Sequence, residues 1–207
     1  MFDLREEELA RRLAEAQGKV PATVSSIYPP GLLPPDPRPA AVLIPFLRRE
    51  NSWHILFTRR TDNLPEHSGQ VAFPGGRADS EDEVAETTAL RETCEEIGLQ
   101  PTDVRLLGCL NPLLTISNYC VTPVVGVMPW PYPLKLAEVE VSRVFTIPLA
   151  WLCQPENHDI RPRLLPPPYP PVPVVYFQRY DGELLWGISA QITLNLLAAL
   201  RLTGVTV

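Results

Sequence analysis

Glu92, Glu95 and Glu96 stand at i, i+3 and i+4 in the run Arg91-Glu92-Thr93-Cys94-Glu95-Glu96-Ile97-Gly98. On a helix this spacing brings three carboxylates out on one side. At neutral pH they repel one another. A proton relieves the repulsion, and so does a divalent ion that prefers oxygen donors, most simply Mg²⁺ or Mn²⁺. An acidic helix face is usually only solvated. Here, however, Phe73-Pro74-Gly75-Gly76 precedes the helix, Arg91 abuts the acids and Gly98 closes the run, a long gapped pattern that chance rarely assembles.

The same stretch predicts the element that holds these acids. Leu90, Thr93, Cys94 and Ile97 recur at helical spacing as a narrow, mostly apolar stripe suited to packing on a sheet, so the acids should face outward. Asp79 or Ser80 suits the N-cap, and Glu81, Asp82 and Glu83 complement the positive end of the helix dipole. Gly98 suits the C′ position, which predicts a helix from about Asp82 to Ile97.

The segment from Gly76 to Leu99 resembles the signature of the Nudix hydrolases: a glycine, a spaced acid, then Arg-Glu-x-x-Glu-Glu-x-Gly and an aliphatic end. One residue more than usual separates Gly76 from Arg91. The upstream acid is therefore Asp82 counted from the glycine and Glu83 counted from the arginine, and Thr93 stands where an aliphatic residue is usual. Leu56-Phe57-Thr58-Arg59-Arg60-Thr61, followed by Gly69-Gln70-Val71-Ala72-Phe73-Pro74-Gly75-Gly76, resembles the additional motif of the coenzyme A pyrophosphatases within that family. Thr61 replaces a usual Ser or Ala. Pro65 replaces a usual arginine, which removes one candidate phosphate clamp. The resemblance runs from Ala41 to about Leu149 and includes Leu185-Trp186-Gly187-Ile188 at the start of the last helix.

This resemblance implies an α/β/α sandwich with a mixed sheet. It implies divalent cations held by Glu92, Glu95 and Glu96 with the Gly76 carbonyl, and Arg91 orienting the glutamates. The general base would be Glu92 or Glu140; Glu138 and Glu140 are expected on one face of an extended segment. Arg59, Arg60, His67 and Arg77 are the cations near the expected site, and Gly69 belongs to the same substrate loop. The implied reaction is hydrolysis of a pyrophosphate linkage in CoA or its thioesters, giving a 4′-phosphopantetheine product and adenosine 3′,5′-bisphosphate. ADP-ribose and dinucleotides belong to the same substrate class. The contrasting reading is a Nudix-fold binding module without hydrolysis, and retention of all three acids with Arg91 argues against it.

Composition excludes several other classes. The chain has 207 residues, 45% of them hydrophobic, enough for one well-buried domain. Its net charge of −6 argues against nucleic-acid or anionic-membrane binding, which need a basic surface. Cys94, Cys109, Cys120 and Cys153 lack metal-ligand spacing and read as reduced, buried thiols. Asp3, Arg5, Glu6 and Glu7 stand where a secretory peptide would need apolar residues, so a cytoplasmic protein is expected.

The remaining layout is an amphipathic helix from Leu4 to about Gln17 and a proline-rich connector to Pro39, then a domain over 40–207. The connector should be neither regular helix nor central strand. Ala40 to Phe46 and Trp53 to Thr58 read as a hairpin; Val104 to Leu110, Val121 to Met128 and Val141 to Phe145 read as strands. Pro166 to Pro173 reads as a stiff insertion between two strands, resuming with Val174 to Phe177. Trp186 to about Leu202 reads as a helix whose apolar surface suits the core or a homodimer contact.

Overall fold

The computed structural model describes residues 4–17, 24, 26–63 and 67–202. The chain opens with α1 (Glu6–Gln17), whose Leu9 and Leu13 are fully buried. β1 (Arg38–Arg49) and β2 (Ser52–Arg60) form the expected hairpin. Glu50 and Asn51 turn it, both in the left-handed region at φ 50° and 61°, a geometry that matches the twist of the paired strands. The short strands β3 (Val71–Ala72) and β4 (Gly75–Arg77) lead into α2 (Ala85–Ile97). Then come β5 (Arg105–Cys109), β6 (Leu113–Leu114), β7 (Tyr119–Val127), β8 (Val141–Pro148), α3 (Leu149–Leu152), β9 (His158–Arg163), β10 (Val172–Phe177) and α4 (Gly187–Ala199).

β1 is the spine of an eight-stranded mixed sheet. On one flank it pairs antiparallel with β4 and β2, and on the other it runs parallel to β7. β3 and β8 add to β2, while β5 and β6 add to β7. Side chains alternate along β1 between two cores. Ile44 and Phe46 meet α1 and α4, whereas Ala41, Leu43 and Leu47 meet Ala89 and Ile97 of α2. Helices thus cover both faces, and the α/β/α sandwich expected from the sequence is present. β9 and β10 form a separate hairpin, with the proline-rich stretch as the loop between them. No position of α4 is fully exposed: Ile192, Leu196 and Leu197 are core, while Ile188 and Leu194 are partly buried. Among the described residues no helix is long and apolar enough to cross a membrane.

Three expectations are corrected. β1 starts at Arg38 and takes in Pro39, because a proline at a strand's beginning needs no donor there, while its carbonyl accepts the Ala78 N–H. α2 starts at Ala85 after Val84, which provides no side-chain cap, rather than at Asp82. Residues 138–140 form a turn closed by the Glu140 and Val141 N–H groups on the Ala137 carbonyl, so Glu138 and Glu140 do not share a strand face.

Candidate active site

The late start of α2 follows from what the Asp82 carboxylate does. It accepts hydrogen bonds from the Asp79 N–H (3.0 Å), the Thr88 hydroxyl (3.0 Å) and the Arg91 guanidinium (2.8 Å), which ties residues 79–82 into a turn against the helix instead of continuing it. The spacing left the upstream acid open between Asp82 and Glu83; the residue that engages Arg91 is Asp82. Hydrogen bonding from Arg91 holds its carboxyl down at about 2, so it is a fixed anion. Gly98 ends α2 as expected: it is left-handed at φ 73° and donates its N–H to the Cys94 carbonyl.

Arg91 sits at the centre of this end of the molecule. Besides Asp82 it donates to Glu92 Oε1 (3.0 Å), to Glu95 Oε1 (3.4 Å) and to the Arg77 carbonyl (3.0 Å), so one planar guanidinium links the turn, β4 and the helix. The three glutamates do not all face outward. Their arc on the helix is wide: Glu95 is 61% exposed, Glu92 is half-buried, and Glu96 lies on the sheet side at 6%. The residues that α2 actually buries are Thr88, Ala89, Thr93, Glu96 and Ile97, while Leu90 and Cys94 remain partly exposed.

Two of the acids converge on the glycine turn. The Gly75 N–H donates to Glu96 Oε2 (3.3 Å), and the Glu92 carboxylate occupies the space over Gly76, where a side chain would sit 2.5 Å from its Cδ. Only a glycine admits a carboxylate there. Burial raises the Glu92 carboxyl and pushes Glu96 up to about 8. The Gly75 N–H bond and Arg60, whose Nη1 is 3.9 Å from Glu96 Oε1, pull it down; Glu140 and Glu92 add to the rise. Arg60 Nε is itself buried and without a hydrogen-bond partner among the described residues.

Glu140 is exposed and close enough to Glu96 to raise its pKa. Its backbone carbonyl accepts the Thr61 N–H (2.9 Å), which fixes the turn beside the end of β2. Arg59 and Arg60, neighbours on β2, are parted to opposite faces of the sheet: Arg60 faces Glu96, while Arg59 bonds Asp62 (2.7 Å) and Ser142 (3.0 Å) on the other side. Gly69, left-handed at φ 65°, donates its N–H to the Thr61 carbonyl and packs against Arg59 and Asp62. His67 is exposed and bonded to Gln70 (2.9 Å), and the Arg77 side chain is exposed. Pro65 lies outside the described residues.

Among the described residues no three His, Cys, Asp or Glu side chains stand close enough together to enclose a cation, because Arg91 separates Glu95 from Glu92 and Glu96 turns inward. The donor set still suits a hard cation: carboxyl oxygens on one turn of helix, two of the groups gathered on a glycine turn. The sequence reading does not single out Arg143, Arg179 or Glu183, which join Arg59 around a cleft of about 770 Å³. The Asp181-Gly182 pair, a tight-turn signal between short strand-like segments, is the clue that could have located the last two.

The NUDIX domain family matches residues 37–163. Curated relatives from Yersinia pestis (strain Pestoides F) and Yersinia pseudotuberculosis serotype O:1b (strain IP 31758), each described as an uncharacterized Nudix hydrolase NudL, are 40% identical over 162 residues. These cover 77% of this chain and 78% of theirs. The crystal structure of a MutT/nudix family protein from Enterococcus faecalis covers 96% of this chain and 75% of its own, with a TM-score of 0.52 at 13% identity, a likeness of fold alone. With the Arg91-centred acids, the glycine turn and a matched family segment spanning more than half its length, this chain belongs to the Nudix hydrolase family.

Proposed function

We propose that the protein hydrolyses a pyrophosphate bond in a nucleoside diphosphate derivative, with CoA or its thioesters as the leading substrate. The observation that carries the reading is the convergence of Glu92 and Glu96 on the Gly75-Gly76 turn, with Arg91 bracing the helix from behind. CoA is favoured by the resemblance of Leu56 to Thr61 and Gly69 to Gly76 to the coenzyme A pyrophosphatase motif.

Glu92, Glu95 and Glu96, with the Gly76 carbonyl, would hold Mg²⁺ or Mn²⁺. The ion would neutralise phosphoryl charge and lower the pKa of a bound water. The chain's own residues do the rest. Arg91 keeps Glu92 aimed over Gly76 and is a positioning residue. Glu140 has no partner for its carboxylate among the described residues and stands across from Glu96, which suits a general base better than Glu92, already committed to Arg91 and the glycine turn. Arg60, whose Nη1 lies 3.9 Å from Glu96 Oε1, is the cation best placed for a phosphoryl oxygen.

The test is turnover of CoA, acetyl-CoA, ADP-ribose, NADH, diadenosine polyphosphates and dNTPs with Mg²⁺ or Mn²⁺, beside a Glu95→Gln variant. CoA should be preferred, and the variant should lose roughly 10²-fold or more in kcat, the scale of removing a group that supports transition-state charge. Preference for another nucleotide sinks the CoA assignment. No turnover at all sinks the enzyme reading in favour of a binding module.

A further inference from the structure

The cleft bounded by Arg59, Arg143, Arg179 and Trp186 does not open on the carboxylate side of the sheet. Phe57 and Phe145 are paired in register and belong to the core under α1 and α4. Arg59 and Arg143, two residues along from each and paired in turn, share that face. The cleft thus backs onto the carboxylate site across the thickness of the sheet. Arg59 and Arg60 are consecutive, and Glu140 and Ser142 are two apart, so residues facing either side are separated by about 4–7 Å of backbone. β8 is the outermost strand beside β2, so a substrate that reaches both faces would cross its edge.

The lining has an excess of positive charge. Three guanidinium groups face one lining carboxylate, that of Glu183, which is shared between Arg59 Nε (3.5 Å) and Arg143 Nη1 (3.1 Å). Asp62 and Asp181 hold Arg59 and Arg143 from the solvent rim, where they are 70% and 61% exposed. Arg179 has no carboxylate partner among the described residues; it donates only to the Gly182 carbonyl (2.8 Å). A wall of Trp186, stacked on Tyr176 at 5.5 Å and 10°, gives the cleft a rigid apolar side. The Arg179 fork, free of carboxylate partners among the described residues and set beside an aromatic wall, suits a dianionic phosphate on a nucleoside and not a neutral ligand.

We propose that this cleft binds a phosphate monoester that the substrate carries away from its scissile linkage, with Arg143 and Arg179 as specificity-determining residues. The assignment rests on the pyrophosphohydrolase reading above.

Titration calorimetry of the full chain with adenosine 3′,5′-bisphosphate and with adenosine 5′-monophosphate tests the cleft without requiring turnover. The bisphosphate should bind the wild type about tenfold tighter, the scale of hydrogen bonds to a charged group, and Arg143→Gln and Arg179→Gln should each bring the two nucleotides close to parity. Arg179→Gln breaks only the bond to Gly182, so it keeps the test valid if loss of the Arg143 ion pairs impairs folding. Equal binding by the wild type, or a difference that survives Arg179→Gln, overturns the proposal. Where a substrate is turned over, the bisphosphate must inhibit competitively. Non-competitive inhibition overturns the substrate-borne assignment in favour of a separate anionic effector. Absence of turnover with every nucleotide removes the hydrolase reading, and the binding comparison then decides the cleft alone.

Discussion

Burial holds the Glu96 carboxyl up at about 8, far above its ordinary 4.5, against the pull of the Gly75 N–H and Arg60. The metal-free folded chain therefore keeps a proton that the unfolded chain gives up. Between about 4.5 and 8 the native state binds more protons, so its stability is greatest at the acid side and declines as pH rises through that window. Denaturant melts in chelator at a series of pH values should show this decline, and Glu96→Gln should flatten it; an unchanged slope in the variant would place the titration elsewhere. Metal affinity should run the opposite way, rising with pH as the proton is displaced. That three acids share a helix was legible from their spacing. Which of them turns inward was not, because it depends on a glycine turn presenting an N–H from a strand twenty-one residues upstream.

At the scale of elements, β4 and α2 form one device in which adjacent glycines have different duties. A Cβ on Gly75 would fall 2.5 Å from Val42 Cα in the neighbouring strand, at a φ of 149° that other residues rarely adopt; the three atoms nearest to one on Gly76 all belong to the Glu92 carboxylate. Backbone cannot give way and a carboxylate can. Gly75→Ala should therefore lower the melting temperature, costing about 1–3 kcal/mol. Gly76→Ala should leave the melting temperature near that of the wild type while reducing turnover and metal affinity by displacing Glu92. Melting curves beside metal titrations separate the two, and equal behaviour of both variants would refute the division. The β1–β2 hairpin could be read from sequence because its turn residues and alternation are local. The start of α2 could not, since Asp82 spends its carboxylate on Arg91 and Thr88 instead of capping. The Arg59–Arg143 cleft was hidden for a different reason: it depends on the pairing of β2 with β8, more than eighty residues away.

The whole molecule is held by cores on both sides of the sheet, and α1 belongs to the larger one. Leu13 has no exposed surface and shares a cluster with Ile44, Phe46 and Leu196. Leu13→Ala should cost about 2–5 kcal/mol, with activity and helical signal lost together in one transition; separate transitions would mean that α1 is a detachable appendage. The parallel pairing of β1 with β7 begins at Arg38 and Tyr119. Every residue of the glycine turn and the carboxylate helix is strung inside the long loop which that pairing closes. Contacts so distant in sequence carry a large closure entropy and form after local ones. A nascent chain that has emerged only as far as α2 already contains the complete acidic motif, yet lacks the strand that completes the sheet behind it. Catalytic competence is therefore acquired late in synthesis, when β7 joins β1.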